Sequence, residues 1–141
     1  MDAGNTNLHI GLAQGDEIVW HKTEAWAQLH GGDFRIPAGL EQRIAGAALV
    51  SVVPERTQVL VRSIEARFGF KPFVLDYRHC AGLRLHYRPL NSLGPDRIAN
   101  AIGAYRRYQA DVAVVDIGTA TTLEFVTRDG DFLGGAILPG L

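Results

Sequence analysis

The sequence predicts an α/β protein built on a partly parallel sheet. Three observations predict it. A continuous apolar run, Ala47 to Val53, is followed by a helix pattern opening at Pro54 and then by a second short apolar run, Lys71 to Leu75. Strand, helix and strand in that order form a crossover unit, which joins parallel neighbours. Two further pairs of apolar runs, one at each end of the chain, close on tight turns and read as hairpins. Finally, an acid–spacer–glycine turn occurs twice, as Asp2-Ala-Gly-Asn-Thr and as Asp116-Ile-Gly-Thr-Ala-Thr.

Taken in order, residues 7–13 alternate partly and read as a strand. Gln14-Gly15-Asp16 is a turn, and Glu17 to His21 is the returning strand. A short helix is expected over residues 24–30, with loops at Gly31-Gly32-Asp33 and Pro37. Ala47 to Val53 suits a strand buried on both faces. Pro54 fits the first helical position, Glu55 suits the positive end, and Gly69 ends the helix. Leu60, Ile64 and Phe68, with Val61, form its apolar stripe. Pro95 opens a second helix whose buried face is Ile98, Ala101, Ile102 and Tyr105, with Arg106 and Arg107 at its C-terminal end. Val112 to Val115 reads as a buried strand ending at Asp116. Thr121 to Thr127 and Phe132 to Leu138 form a hairpin around Asp129-Gly130.

The totals set outer limits. The chain has 141 residues, 47% of them apolar, and a net charge of −1. That suits one modest folded core and gives no basic footprint for nucleic acid and no polybasic membrane patch. Cys80 is the sole cysteine, so no internal disulfide can form and a reducing compartment fits. No apolar run approaches a membrane span and no signal peptide opens the chain, so a soluble, cytoplasmic protein is expected. Asp2 has no strand leading into its turn, and the strand ending at Leu138 is followed only by Pro139-Gly140-Leu141. Both ends therefore read as cut from something longer.

The repeated turn suits phosphate. Glycine lets the backbone approach a phosphoryl oxygen, and turn N–H groups and Thr hydroxyls donate to it. A carboxylate repels phosphate, so the acid is more useful holding a cation. Each turn alone is also an ordinary feature of loops; two copies in equivalent strand–turn–strand settings fit an ATPase with one phosphate hairpin per lobe. Leu93-Gly94-Pro95-Asp96-Arg97 puts an acid and a guanidinium in the first turn of a helix, where unpaired N–H groups attract anions. Asp96 there can accept a proton from an attacking hydroxyl. An ordinary capped helix start with an exposed ion pair gives the same residues. His79, Cys80 and His86 are poorly spaced for a metal, and Cys80 has no adjacent base. Neither a Walker A loop nor G-x-G-x-x-G occurs. Trp20 and Trp26 read as packing residues.

Asp2-Ala-Gly-Asn-Thr-Asn, Ser51-Val-Val-Pro54, Leu93-Gly-Pro-Asp-Arg-Ile-Ala-Asn-Ala101, Val115-Asp-Ile-Gly-Thr-Ala-Thr-Thr122 and Gly134-Gly-Ala-Ile-Leu-Pro-Gly140 stand in the order of type III pantothenate kinases. The resemblance runs from residue 2 to residue 140. It implies a fold of ribonuclease-H-like lobes, the actin/hexokinase/Hsp70-like ATPase fold. Residues 1–94 would then be the first lobe and residues 95–141 the connecting helix and the start of an incomplete second lobe. It implies ATP-dependent phosphorylation of pantothenate, the first step of coenzyme A synthesis, with a divalent cation such as Mg on the nucleotide and K or NH4 as monovalent cation.

By the same resemblance, Asp96 is the proton acceptor and Tyr87, Gly94, Pro95, Asp96 and Arg97 contact pantothenate. Asp2, Ala3, Gly4, Asn5, Thr6, Asn7, Leu8, His9 and Thr119 bind ATP, and Asp116 holds the monovalent cation. A homodimer is implied for the full-length form. The sequence departs from the family in lacking apolar residues before Asp2, in ending after the Pro-Gly turn, and in a Pro89 displaced by one position. Two rival readings are a non-catalytic relative of the transcriptional-accessory type and a kinase of this fold acting on another hydroxyl, such as that of a sugar. Intact Asp96, Arg97 and Asp116 argue against the first.

Overall fold

Proline decides where both long helices begin. Pro54 and Pro95 each take the first helical position, where a missing N–H costs nothing and a fixed φ is already helical. In the computed structural model, which describes residues 1–29 and 33–141, the chain divides into two compact units, Met1–Val74 and Leu75–Leu141. The lobe division implied by the family resemblance falls instead at 94/95.

The first unit is a five-stranded sheet with one long helix. Its strands are β1 (Asp2–Ala3), β2 (Asn7–Gln14), β3 (Glu17–Ala25), β4 (Ala48–Ser51) and β5 (Phe73–Val74), in the order β3-β2-β1-β4-β5. β1 runs antiparallel to β2 and parallel to β4, and β4 runs parallel to β5. The crossover between β4 and β5 is α1, Pro54–Phe68. Its buried Leu60 and Ile64 meet Ala3, Leu8, Ile10, Phe34 and Leu49 in one core. Gly69 ends the helix at φ 76°, a left-handed conformation that glycine adopts without a Cβ clash.

Asp2 and Ala3, expected as turn, are therefore a short central strand, and the turn proper begins at Gly4. β3 runs four residues past the expected His21. The helix expected over residues 24–30 is a single 3-10 turn, Trp26–Gln28, because pairing with β2 holds the chain extended to Ala25. Residue 30 of that expected helix, and the expected loop glycines at 31 and 32, lie outside the described residues.

The second unit is a four-stranded sheet in the order β6-β9-β8-β7, with β6 (Arg84–Leu85), β7 (Val112–Ile117), β8 (Ala120–Val126) and β9 (Asp131–Pro139). β6 is parallel to β9; the other pairs are antiparallel. The helix α2, Pro95–Tyr108, packs on β7 and β8. Leu83, Leu93, Ile98, Ala101, Val126 and Phe132 form the core.

β7 is not the buried strand its composition suggests. It is an edge strand, and α2 covers only one face. Val115 is 56% exposed and Ile117 63% on the other face. Of the hairpin's apolar residues, Phe125 and Ile137 are exposed, Leu123 is half-buried, and Phe132 is fully buried.

Candidate active site

The first turn of α2 carries Asp96 and Arg97, and Gly94 precedes it with extended backbone. The Asp96 carboxylate folds back over the helix start. Its Oδ1 lies 2.3 Å from where a Cβ on Gly94 would stand, so only glycine leaves room for it. That oxygen is buried and has no hydrogen-bond partner among the described residues.

Arg97 turns inward and is only 4% exposed. Its Nε donates to Oε1 of Glu124 at 2.8 Å, an ion pair fully out of water. The guanidinium lies 5.5 Å from the Tyr87 ring centre and 6.0 Å from that of Phe132, within cation–π range. Tyr87 and Phe132 meet with centres 6.4 Å apart. Gly134, at φ 87°, lies beneath the Tyr87 ring. A surface hollow opens there, lined by residues 85–90, Tyr87 among them. A separate apolar cavity of about 510 Å3 in the first unit includes none of the expected site residues in its lining.

Asp116 is tied to the same helix, because Asn100 Nδ2 donates to its Oδ2 at 2.9 Å. Thr122 pairs directly with Asp116 across the β7–β8 ladder and so shares its face. Its Oγ1 is buried with no partner among the described residues. A carboxylate with a neighbouring hydroxyl is a hard oxygen set of the kind cations of the K or Mg type take. Among the described residues no group of three or more His, Cys, Asp or Glu stands together, so water or a nucleotide would complete any shell. Beyond Asp116 the turn at Gly118-Thr119 meets the residues after β9: Leu141 N–H donates to Gly118 O, and a Cβ on Gly140 would lie 1.9 Å from that same oxygen.

In the first unit the Gly4–Thr6 turn joins β1 to β2. Gly4 N–H donates to Asn7 O, the Trp26 indole N–H donates to Gly4 O at 2.8 Å, and Trp26 N–H donates to Thr6 O. Arg56 lies over the indole ring, its guanidinium carbon 4.1 Å from the ring centre. Asn5 and Thr6 are exposed at the tip, whereas Ala3 and Leu8 are fully buried and can offer a ligand only backbone. His9 accepts or donates a bond to Thr23 Oγ1. Within the second unit, then, Tyr87, Gly94, Pro95, Asp96, Arg97 and Asp116 gather around the start of α2, with Thr119 on the turn that follows β7.

Sequence reasoning missed Glu124, Asn100, Thr122 and Trp26. Glu124 could have been found: it sits between Thr122 and Val126 at an inward strand position, where an acid needs a cationic partner. The other weak candidates turn to local partners. His79 meets Asp76, His86 meets Asp131, and the Cys80 thiol donates to Tyr77 O. Burial pushes that thiol up from its ordinary pKa, which disfavours the thiolate.

The fold and site describe a mixed α/β protein with a buried acid–guanidinium pair at a helix start and two acid–glycine turns. A family model described as type III pantothenate kinase matches residues 1–141. The chain belongs to the type III pantothenate kinase family. It is 37% identical to a type III pantothenate kinase of Geobacter sulfurreducens, 36% to one of Moorella thermoacetica and 31% to one of Finegoldia magna. Each comparison covers 100% of this chain, and 59%, 59% and 57% of the respective relatives, so the chain spans under two thirds of their length. A solved structure described as a Baf family transcriptional activator from Campylobacter jejuni superposes with a TM-score of 0.57 at 20% identity, over 99% of this chain and 53% of that one. That likeness bears on fold alone.

Proposed function

We propose that this chain takes part in ATP-dependent phosphorylation of pantothenate, within the actin/hexokinase/Hsp70-like fold. One observation carries the reading: a carboxylate oxygen of Asp96, buried and without a partner among the described residues, stands at a helix start whose next residue is the buried Arg97. An acceptor kept out of water and unbonded is ready for the proton of an incoming hydroxyl. Asp96 takes that proton as the hydroxyl oxygen attacks the γ-phosphorus, and the bond from that phosphorus to the β–γ bridging oxygen breaks so that ADP leaves. Tyr87, Gly94, Pro95 and Arg97 hold pantothenate. The Asp2–His9 segment and Thr119 hold ATP through turn N–H groups and hydroxyls. Asp116, with Thr122 beside it, holds a monovalent cation, K or NH4. When bound, the cations, including Mg on the nucleotide, neutralise charge on the phosphates. Family membership supports a cytoplasmic setting. A homodimer is the working assembly by analogy with the family.

The test is pantothenate-dependent ADP release by the chain, with Asp96→Asn beside it. Asn keeps the shape and removes the base. Turnover is expected to fall by about two to four orders of magnitude, the usual worth of general base catalysis, with nucleotide affinity little changed. Near-normal turnover in that variant would remove Asp96 from the chemistry, and release of ADP indifferent to pantothenate would refute the substrate.

A further inference from the structure

We propose that Glu124 is a positioning residue for pantothenate: it anchors Arg97 by Nε alone and so leaves the Nη2 edge of the guanidinium for an oxygen of the substrate. The inference rests on the functional reading above. Arg97 and a carboxylate can form two parallel bonds, using two nitrogens and both oxygens. Here the contact is single, Nε to Oε1, and both Arg97 Nη2 and Glu124 Oε2 are buried without a partner among the described residues. Buried donors in native proteins are nearly always satisfied, so an orphaned guanidinium N–H marks a place where an acceptor is missing. Pantothenate offers acceptors of the right class in its carboxylate, amide and hydroxyl oxygens.

The guanidinium has little freedom to look elsewhere. Glu124 bonds its Nε, and the rings of Tyr87 and Phe132 lie 5.5 and 6.0 Å from it. Glu124 is itself fixed on β8, between two paired strands. Opposite it, Gly135 lets β9 approach so closely that a Cβ would stand 1.6 Å from Leu123 O. For stability alone this arrangement is a poor choice. Well-packed apolar residues commonly replace buried ion pairs without loss. Glu124 touches no substrate in this scheme; it acts through Arg97.

The test is calorimetric titration of the 141-residue chain with pantothenate and, separately, with an ATP analogue. Glu124→Gln removes the charge, and Glu124→Asp keeps it but withdraws it by one methylene. In both, pantothenate affinity is expected to fall at least tenfold while nucleotide affinity stays within twofold. In an Arg97→Met background, Glu124→Gln should cause no further loss. Equal losses for both ligands would show a merely structural role and overturn the inference, as would unchanged pantothenate affinity in a folded Glu124 variant. The Arg97 side-chain N–H signals of the unsubstituted chain, followed by NMR, decide the matter should neither variant fold. They should shift on adding pantothenate, and unshifted signals with pantothenate bound would overturn the inference. Failure of the unsubstituted chain to bind pantothenate would instead overturn the functional reading, and this inference with it.

Discussion

Gly94 shows how a residue without a side chain can shape a site. Its backbone, φ −59° and ψ 135°, is open to any residue, so its glycine is not needed for conformation. It is needed for space, since Asp96 Oδ1 occupies the volume a Cβ would take. Gly94→Ala should therefore leave the fold almost unchanged and push the carboxylate out of place. Misplacement of a catalytic group by about 1 Å costs on the order of a hundredfold in rate. That loss is expected in kcat, measured beside an unfolding curve that barely moves. In an Asp96→Asn background the same substitution should add almost nothing, and additive losses would show that Gly94 acts by another route. Gly94 and Asp96 were legible in the sequence because they are neighbours in one motif. The identity of Glu124's partner was not, because Arg97 is 27 residues away and only the packing of α2 on β8 brings the two together.

At the scale of elements, local chemistry was legible and cross-chain pairing was not. The starts of α1 and α2 could be read because proline sets its own φ, and the end of α1 because Gly69 tolerates a left-handed turn. The two-residue strands β1 and β6 have no pattern of their own and exist through their neighbours. β6 is held to β9 by Asp131, which accepts two bonds from Arg84 at 2.8 Å each and meets His86 Nε2 at 2.7 Å. Arg84, and then His86, hold the Asp131 carboxyl well below the usual carboxylate range. A carboxyl depressed in the folded state adds stability that is complete above its unfolded pKa of about 3.9 and is lost as pH falls below that value. Asp131→Asn should accordingly be less stable than the parent at pH 6, and the gap should narrow in acid. Urea unfolding of both at pH 6 and pH 3 checks this; a gap independent of pH would place the benefit in shape and not in charge.

For the whole molecule, the composition of β7 was a poor guide to its surroundings. Val112 to Val115 is apolar enough for a strand covered on both sides, yet sequence cannot say how many layers will pack on a sheet. The sheet of the second unit is covered by α2 on one face, and Val115, Ile117, Phe125 and Leu138 are exposed. Burying each such side chain is worth roughly 1.5–3 kcal/mol, so a contiguous group of them favours association. The chain is expected to self-associate as its concentration rises, and Val115→Thr with Phe125→Thr should shift it toward monomer in sedimentation experiments. A parent chain that stays monomeric at high concentration would show that these residues do not drive assembly.

The bond from the Trp26 indole to Gly4 O gives the molecule a built-in optical probe. Trp20 is the only other tryptophan in the chain. In a Trp20→Phe variant all indole emission would come from a ring bonded to the turn assigned to ATP. Nucleotide binding there should change that emission without any attached dye, and a saturable titration curve would give the affinity directly. An unresponsive spectrum, with nucleotide binding verified by calorimetry, would place the nucleotide away from the Gly4–Thr6 turn.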